Sequence, residues 1–427
     1  MRNMGMRLAR ADGVESAPPA AGRRWATCSG KTGKNSRRRL ADTRAIVALV
    51  ALAAGILPVG AFGYSFYSGI NNIFDYPTIG YGDGPRVLTA VDAARWDASV
   101  WSPGGDVLEW VVAEGPWTEP YEDVWKETHD SLFRSIQEVV DLMAEALAVW
   151  EVVESADIRW EVTGARAVPG AAMDGRNTIS VKPDNPDHPV GTGETSSAII
   201  WARRDVSGSW VITECDVEFP MYHAVQFATN WPGNLRVAIH EFGHCLGLNH
   251  PASHDEWLHW HVSGSLGAYG PTPVMSYGWT HTNELSLDDT AGVSLLRPAR
   301  GHATATGGIS GELTLAGEPA RYVYVFASRI DDSGLGGGVG AFSAEDGRFV
   351  VEGLPPGDYL LRAQPILSGA LGRGGGGACA WLLRGAATLD VRDLLWLDPV
   401  TVLPGGVASA GVMELQPGRT GSPRLAE

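Results

Sequence analysis

His240–His250 reads HEFGHCLGLNH. His240 and His244 are four positions apart, so a helix carries both imidazoles on one face, one turn from each other. That spacing lets two ring nitrogens grip one zinc ion. Glu241 lies beside them and reaches a water on that ion. Gly247 permits a sharp turn where the helix stops. Such a turn can return His250 as a third ligand. Three protein ligands and one open position make a catalytic rather than a structural zinc site.

The helix itself is legible upstream. Pro232-Gly233-Asn234 breaks the chain, and Asn234 is a good N-cap for a helix from Leu235 to about Leu246. Further back, Leu132, Ile136, Val140, Met143, Leu147 and Trp150 recur at three- and four-residue steps. They predict a helix with one apolar stripe, read as core. Five strands surround it: Val107–Ala113, Ile158–Val162, Thr178–Val181, Ala198–Arg203 and Trp210–Phe219. Leu285–Leu296 reads as a last helix, with Asp288 and Asp289 in its first turn. Strand, helix, then several strands predict an α+β domain: a mostly parallel, twisted five-stranded sheet with about three helices.

Near residue 300 the texture changes. Gly301–Gly308 reads as a linker. Short alternating strands follow at Ile309–Leu315, Tyr322–Ala327, Arg348–Glu352, Tyr359–Arg362 and Val412–Leu415, separated by turns such as Asp346-Gly347 and Pro355-Pro356-Gly357. They predict an all-β sandwich.

The chain has 427 residues, enough for two or three domains. Residues 1–63 stand apart. A basic run at Arg37–Arg39 and Arg44 precedes the apolar stretch Ala45–Gly63, the order of a secretion signal, with small residues at Val59-Gly60-Ala61 for cleavage. An uncleaved anchor is the alternative, because the apolar run approaches the length of a bilayer span. Pro58 and the glycines favour cleavage. Residues 1–63 hold eleven of the 33 basic and three of the 49 acidic residues, so the remainder carries 22 against 46, a formal charge of −24. Such a chain is repelled by nucleic acid and by anionic membranes, and no membrane contact is expected unless residues 45–63 remain as an anchor. The expected boundaries are a signal at 1–63, an extension at 64–94, a metal-binding domain at 95–300, the linker, a sandwich at 309–418 and a tail at 419–427. Beyond the signal only Cys215, Cys245 and Cys379 remain. One bridge is open to them, and the sequence does not choose it.

HExxHxxGxxH followed by Met275 in VMSY, 25 residues after His250, resembles the metzincin clan of zinc endopeptidases. Leu287–Gly292 (LDDTAG), GRNTISV and ITECDVEF are similar to matrixin segments, and the likeness spans residues 95–298. The resemblance implies a secreted, monomeric endopeptidase acting on proteins or peptides. It implies one catalytic Zn2+ on His240, His244 and His250, with Glu241 as the base. It leaves room for Ca2+, and it places Met275 beneath the metal as a packing residue. Tyr277 occupies the place where some of these enzymes keep a tyrosine beside zinc; ligation, hydrogen bonding to the tetrahedral intermediate and simple packing all stay open. The substrate is expected to lie extended along the edge strand Ala198–Arg203. Two family features are missing. No cysteine lies between Cys28 and Cys215, so a thiol-based latency has no support, and a loop for a second, structural zinc is not evident. His254, His259 and His261 read as solvated loop residues. ISGELTLAG, AEDGRFVVEGLPPGDYLLRA and VTVLPGGVASAGVMEL resemble the carboxypeptidase regulatory-like, transthyretin-like sandwich. A binding protein that retains zinc, and a hydrolase of non-protein amides, are the competing readings.

Overall fold

Indole rings set the layout of the N-terminal half. Trp96, Trp101, Trp150 and Trp160 are all buried, and their N–H groups find acceptors inside. Trp160 Nε1 donates to Leu147 O at 2.9 Å, Trp150 Nε1 to Ile239 O at 2.9 Å and Trp96 Nε1 to Cys245 O at 2.7 Å. Each bond joins a different pair of elements: two tie the sheet to a helix and one ties two helices together.

The computed structural model describes residues 94–101, 106–118, 133–182, 196–207, 209–221, 235–249, 273–275, 283–321, 323–331, 334–364 and 394–418. It also describes the pieces 61–62, 65–66, 121–122, 128–129 and 424–425, with Ala224 and Phe227. All of these belong to one compact unit. In chain order its strands begin with β1 (Ala61–Phe62), β2 (Ser65–Phe66), β3 (Arg95–Trp96), β4 (Leu108–Ala113), β5 (Tyr121–Glu122) and β6 (Thr128–His129). Helix α1 spans Ile136–Glu151 and is followed by β7 (Trp160–Arg166), β8 (Asn177–Lys182), β9 (Ser197–Arg204) and β10 (Trp210–Pro220). Helix α2 spans Leu235–Cys245, β11 Leu248–Asn249, α3 Leu287–Leu296 and α4 His302–Ala305.

The first sheet has the order β3-β10-β8-β4-β7, with β9 on the far side of β10. All neighbours are parallel except β9, which runs antiparallel to β10 and forms an edge. The fold is thus mixed α/β with a mostly parallel six-stranded sheet. The sequence predicts five strands. The sixth is the two-residue β3, too short to carry a periodic signal. Helix α1 connects β4 to its parallel neighbour β7 and packs on β7 and α2. Its buried Val140, Met143, Leu147 and Trp150 are members of the predicted stripe.

Beyond α3 the chain forms β12 (Gly307–Leu315), β13 (Glu318–Pro319), β14 (Tyr324–Asp331), β15 (Gly334–Phe342), β16 (Arg348–Leu354), β17 (Gly357–Gln364), β18 (Leu394–Val402), β19 (Val407–Leu415) and β20 (Arg424–Leu425). One sheet runs β1-β15-β14-β17-β18-β20. A second holds β13-β12-β16, with β19 on β12. The two meet through β15 with β16 and β18 with β19, burying Val325, Val339, Val351, Tyr359, Leu361 and Met413. The predicted linker at 301–308 is built structure instead: α4, then the start of β12. Gly307 leaves no room for a side chain there, since a Cβ would sit 2.5 Å from Leu403 O. Among the described residues no helix is long and apolar enough to cross a membrane. Residues 45–60 lie outside the described residues.

Cys215 on β10 and Cys245 at the end of α2 form a disulfide, Cα–Cα 5.6 Å, across 30 positions. Cys379 lies outside the described residues. A closed loop of that length restricts the unfolded chain by about 3.6 kcal/mol. Replacing both cysteines by alanine should therefore lower the urea midpoint by a corresponding amount. An unchanged midpoint would show that the bridge contributes nothing.

Candidate metal centre

Helix α2 is buried along nearly its whole length. His240 is 8% exposed, Glu241 1% and His244 0%. The two imidazole centroids lie 4.6 Å apart with planes at 87°. Each ring is fixed from behind by a backbone carbonyl: His240 Nδ1 lies 2.7 Å from Val274 O, and His244 Nδ1 lies 2.9 Å from Leu248 O. A carbonyl only accepts, so each Nδ1 carries the proton and each Nε2 keeps its lone pair. Burial holds His240 down at about 4 and His244 well below the ordinary imidazole value, so both rings are neutral. Neutral imidazoles braced at one nitrogen are the form that ligates zinc. His240 and His244 are therefore both in the form that can ligate zinc. His250 and Tyr277 lie outside the described residues, as does Asn234.

Glu241 points the opposite way in its titration. Burial pushes its carboxyl up to about 8, against the Ala198 N–H that donates to it and the charge of Lys182. One of its oxygens, Oε2, is buried with no hydrogen-bond partner among the described residues. Ala198 belongs to β9, so the edge strand and the carboxylate are in direct contact.

Gly247 has φ +102°, and its N–H donates to His244 O at 2.8 Å, closing α2. The chain then turns into β11, whose Leu248 carbonyl braces His244. Met275 lies against the helix at Gly243, where an added Cβ would come within 2.3 Å of its Sδ. Gly243 sits between the two histidines in sequence, so the thioether packs next to the histidine pair.

Sequence reasoning did not anticipate what holds this turn. Asp289, buried at the start of α3, accepts from Val274 N at 2.8 Å and Met275 N at 3.2 Å. It also accepts from Ser286 N and Ser286 Oγ, both at 2.8 Å, completing a capping box. Arg236 Nη2 donates to Pro273 O at 2.8 Å and Val274 O at 3.3 Å. Val274 is thus gripped at both its amide and its carbonyl. The pattern Ser286-x-x-Asp289 is the one signal that pointed to this cap. It also explains why α3 starts at Leu287 rather than Leu285.

A second buried carboxylate shapes the neighbouring strands. Asp216 on β10 accepts from Thr178 N at 2.8 Å, Ala172 N at 3.1 Å and Trp201 Nε1 at 3.0 Å. Burial nevertheless pushes its carboxyl up to about 7 from 3.8. The unfolded chain then releases this proton first as pH rises. Its stabilising contribution is full below 3.8 and is lost as pH climbs through about 7. The gap in urea midpoint between wild type and Asp216→Asn should accordingly shift in the variant's favour between roughly pH 4 and 8. A gap constant over that range would rule the assignment out.

Comparison with protein-family models gives no match, and comparison with curated proteins gives none. Among solved structures, the chain is similar to a chain of "GM1 bound form of the ECX AB5 holotoxin". The identity is 14%, over 48% of this chain and 84% of that one, with a TM-score of 0.25.

Proposed function

We propose that this chain is an exported zinc-dependent endopeptidase of the metzincin type, with a matrixin-like catalytic domain and a transthyretin-like C-terminal domain. The observation that carries the reading is the pair His240 and His244: neutral, braced by carbonyls, 4.6 Å apart, with the buried Glu241 beside them. His240, His244 and His250 would hold the ion. Zinc bound there supplies Lewis acidity, which acidifies a water and polarises a carbonyl. Glu241 takes the proton from the attacking water and delivers it to the leaving amine. The Ala198 N–H orients that carboxylate. Strand β9, which pairs only with β10 among the described strands of the sheet, offers backbone groups to an extended peptide. Met275 supports the ligand pair from the side of Gly243.

Metal content and a peptide-library assay test this together. The purified chain should carry one zinc per molecule and cut peptides, lose activity on chelation and regain it with zinc. A preparation without stoichiometric metal, or a zinc-loaded chain that cuts nothing in the library, would overturn the proposal.

A further inference from the structure

The sequence leaves the C-terminal β region as a spacer or docking module. The structure ties it to the metal centre. Asp288, 3% exposed, accepts a hydrogen bond from the backbone N–H of Gly340 on β15. The next residue, Asp289, holds the Val274 and Met275 amides, and Val274 O braces His240. One turn along α3, Ala291 seats against Gly353 of β16. A Cβ on Gly353 would lie 3.2 Å from that of Ala291, and its φ of +74° suits glycine. Helix α3 therefore meets both C-terminal sheets through two close contacts.

We propose that the C-terminal sheets act as a clamp on the metal centre, with Asp288 as the positioning residue that passes their docking through Asp289 and Val274 to His240. The physical reason is continuity. Asp288 and Asp289 are adjacent on one rigid turn, so displacing one displaces the other. Both are buried, so neither exchanges its N–H donors for water without cost. The inference rests on the zinc reading only for its affinity arm.

Two variants separate the cases. Asp288→Asn keeps an acceptor for Gly340 N–H, and zinc affinity by chelator competition should stay within about twofold of wild type. Asp288→Leu removes the acceptor, and zinc affinity should fall about tenfold. The Val274–Met275 amides should exchange faster in step with Gly340. Faster exchange at Gly340 alone, with zinc affinity and the Val274–Met275 amides unchanged, would overturn the clamp. Should Asp288→Leu fail to fold, the wild type decides by native-state hydrogen exchange in low denaturant. Gly340, Val274 and Met275 are expected to open as one unit, and separate opening of Gly340 would overturn it. A wild type that binds no zinc removes the metal reading and leaves this exchange test intact.

Discussion

Glu241→Gln is expected to lower kcat/KM for peptide hydrolysis by about 10²- to 10⁴-fold, the range of a general base, while zinc content stays at one per chain. Glutamine is the informative replacement. It keeps an oxygen to accept the Ala198 N–H and nearly the same volume, so the edge strand should not move. It removes the group that shuttles the proton. Stability should hold or rise, because the carboxyl is buried and Oε2 has no partner among the described residues. A melting temperature at or above wild type, with activity lost, is the signature of a residue kept for chemistry. Undiminished turnover would remove Glu241 from that role. Lost zinc would instead make it part of the site's support.

Much of this arrangement was readable from the chain. The i, i+4 histidines, the apolar stripe of α1 and the β-branched and aromatic runs of β4, β7, β8, β9 and β10 are local signals. What the sequence hid is long-range. Strand β15, GLGGGVGAF, holds few β-formers and looks like a loop. It is a strand because Tyr324 and Phe326 across from it lay their rings over Gly340 and Gly338. The glycines are space for aromatics of another strand, which no window on 334–342 reveals. Three cysteines left the bridge open, and only the adjacency of β10 and the end of α2 selects Cys215 with Cys245. Arg236 and Asp289 reach the Val274–Met275 turn from 38 positions before and 15 after. Their residue types suggest a surface charge and a helix cap, and the fold gives them their partners.

Gly247→Ala is expected to damage stability and zinc retention together. At φ +102° an alanine is strained by about 1–3 kcal/mol. Its Cβ would also lie 2.8 Å from the backbone oxygen of Ala94, an atom that cannot rotate away. Relief requires the turn after α2 to open. That moves Leu248, whose carbonyl fixes the His244 ring, and everything that follows it toward His250. The melting temperature should fall by several degrees, consistent with about 2 kcal/mol or more in a chain of this size. The rise in melting temperature on adding zinc should shrink at the same time, because a disordered ligand lowers affinity. Gly175→Ala supplies the control. Its φ is +79° but nothing lies within 4 Å of the added Cβ, so it should carry the backbone strain alone and leave the zinc effect intact. If both variants lose stability equally and both keep the full zinc response, then Gly247 is an ordinary helix stop, and the turn beyond it does not build the site.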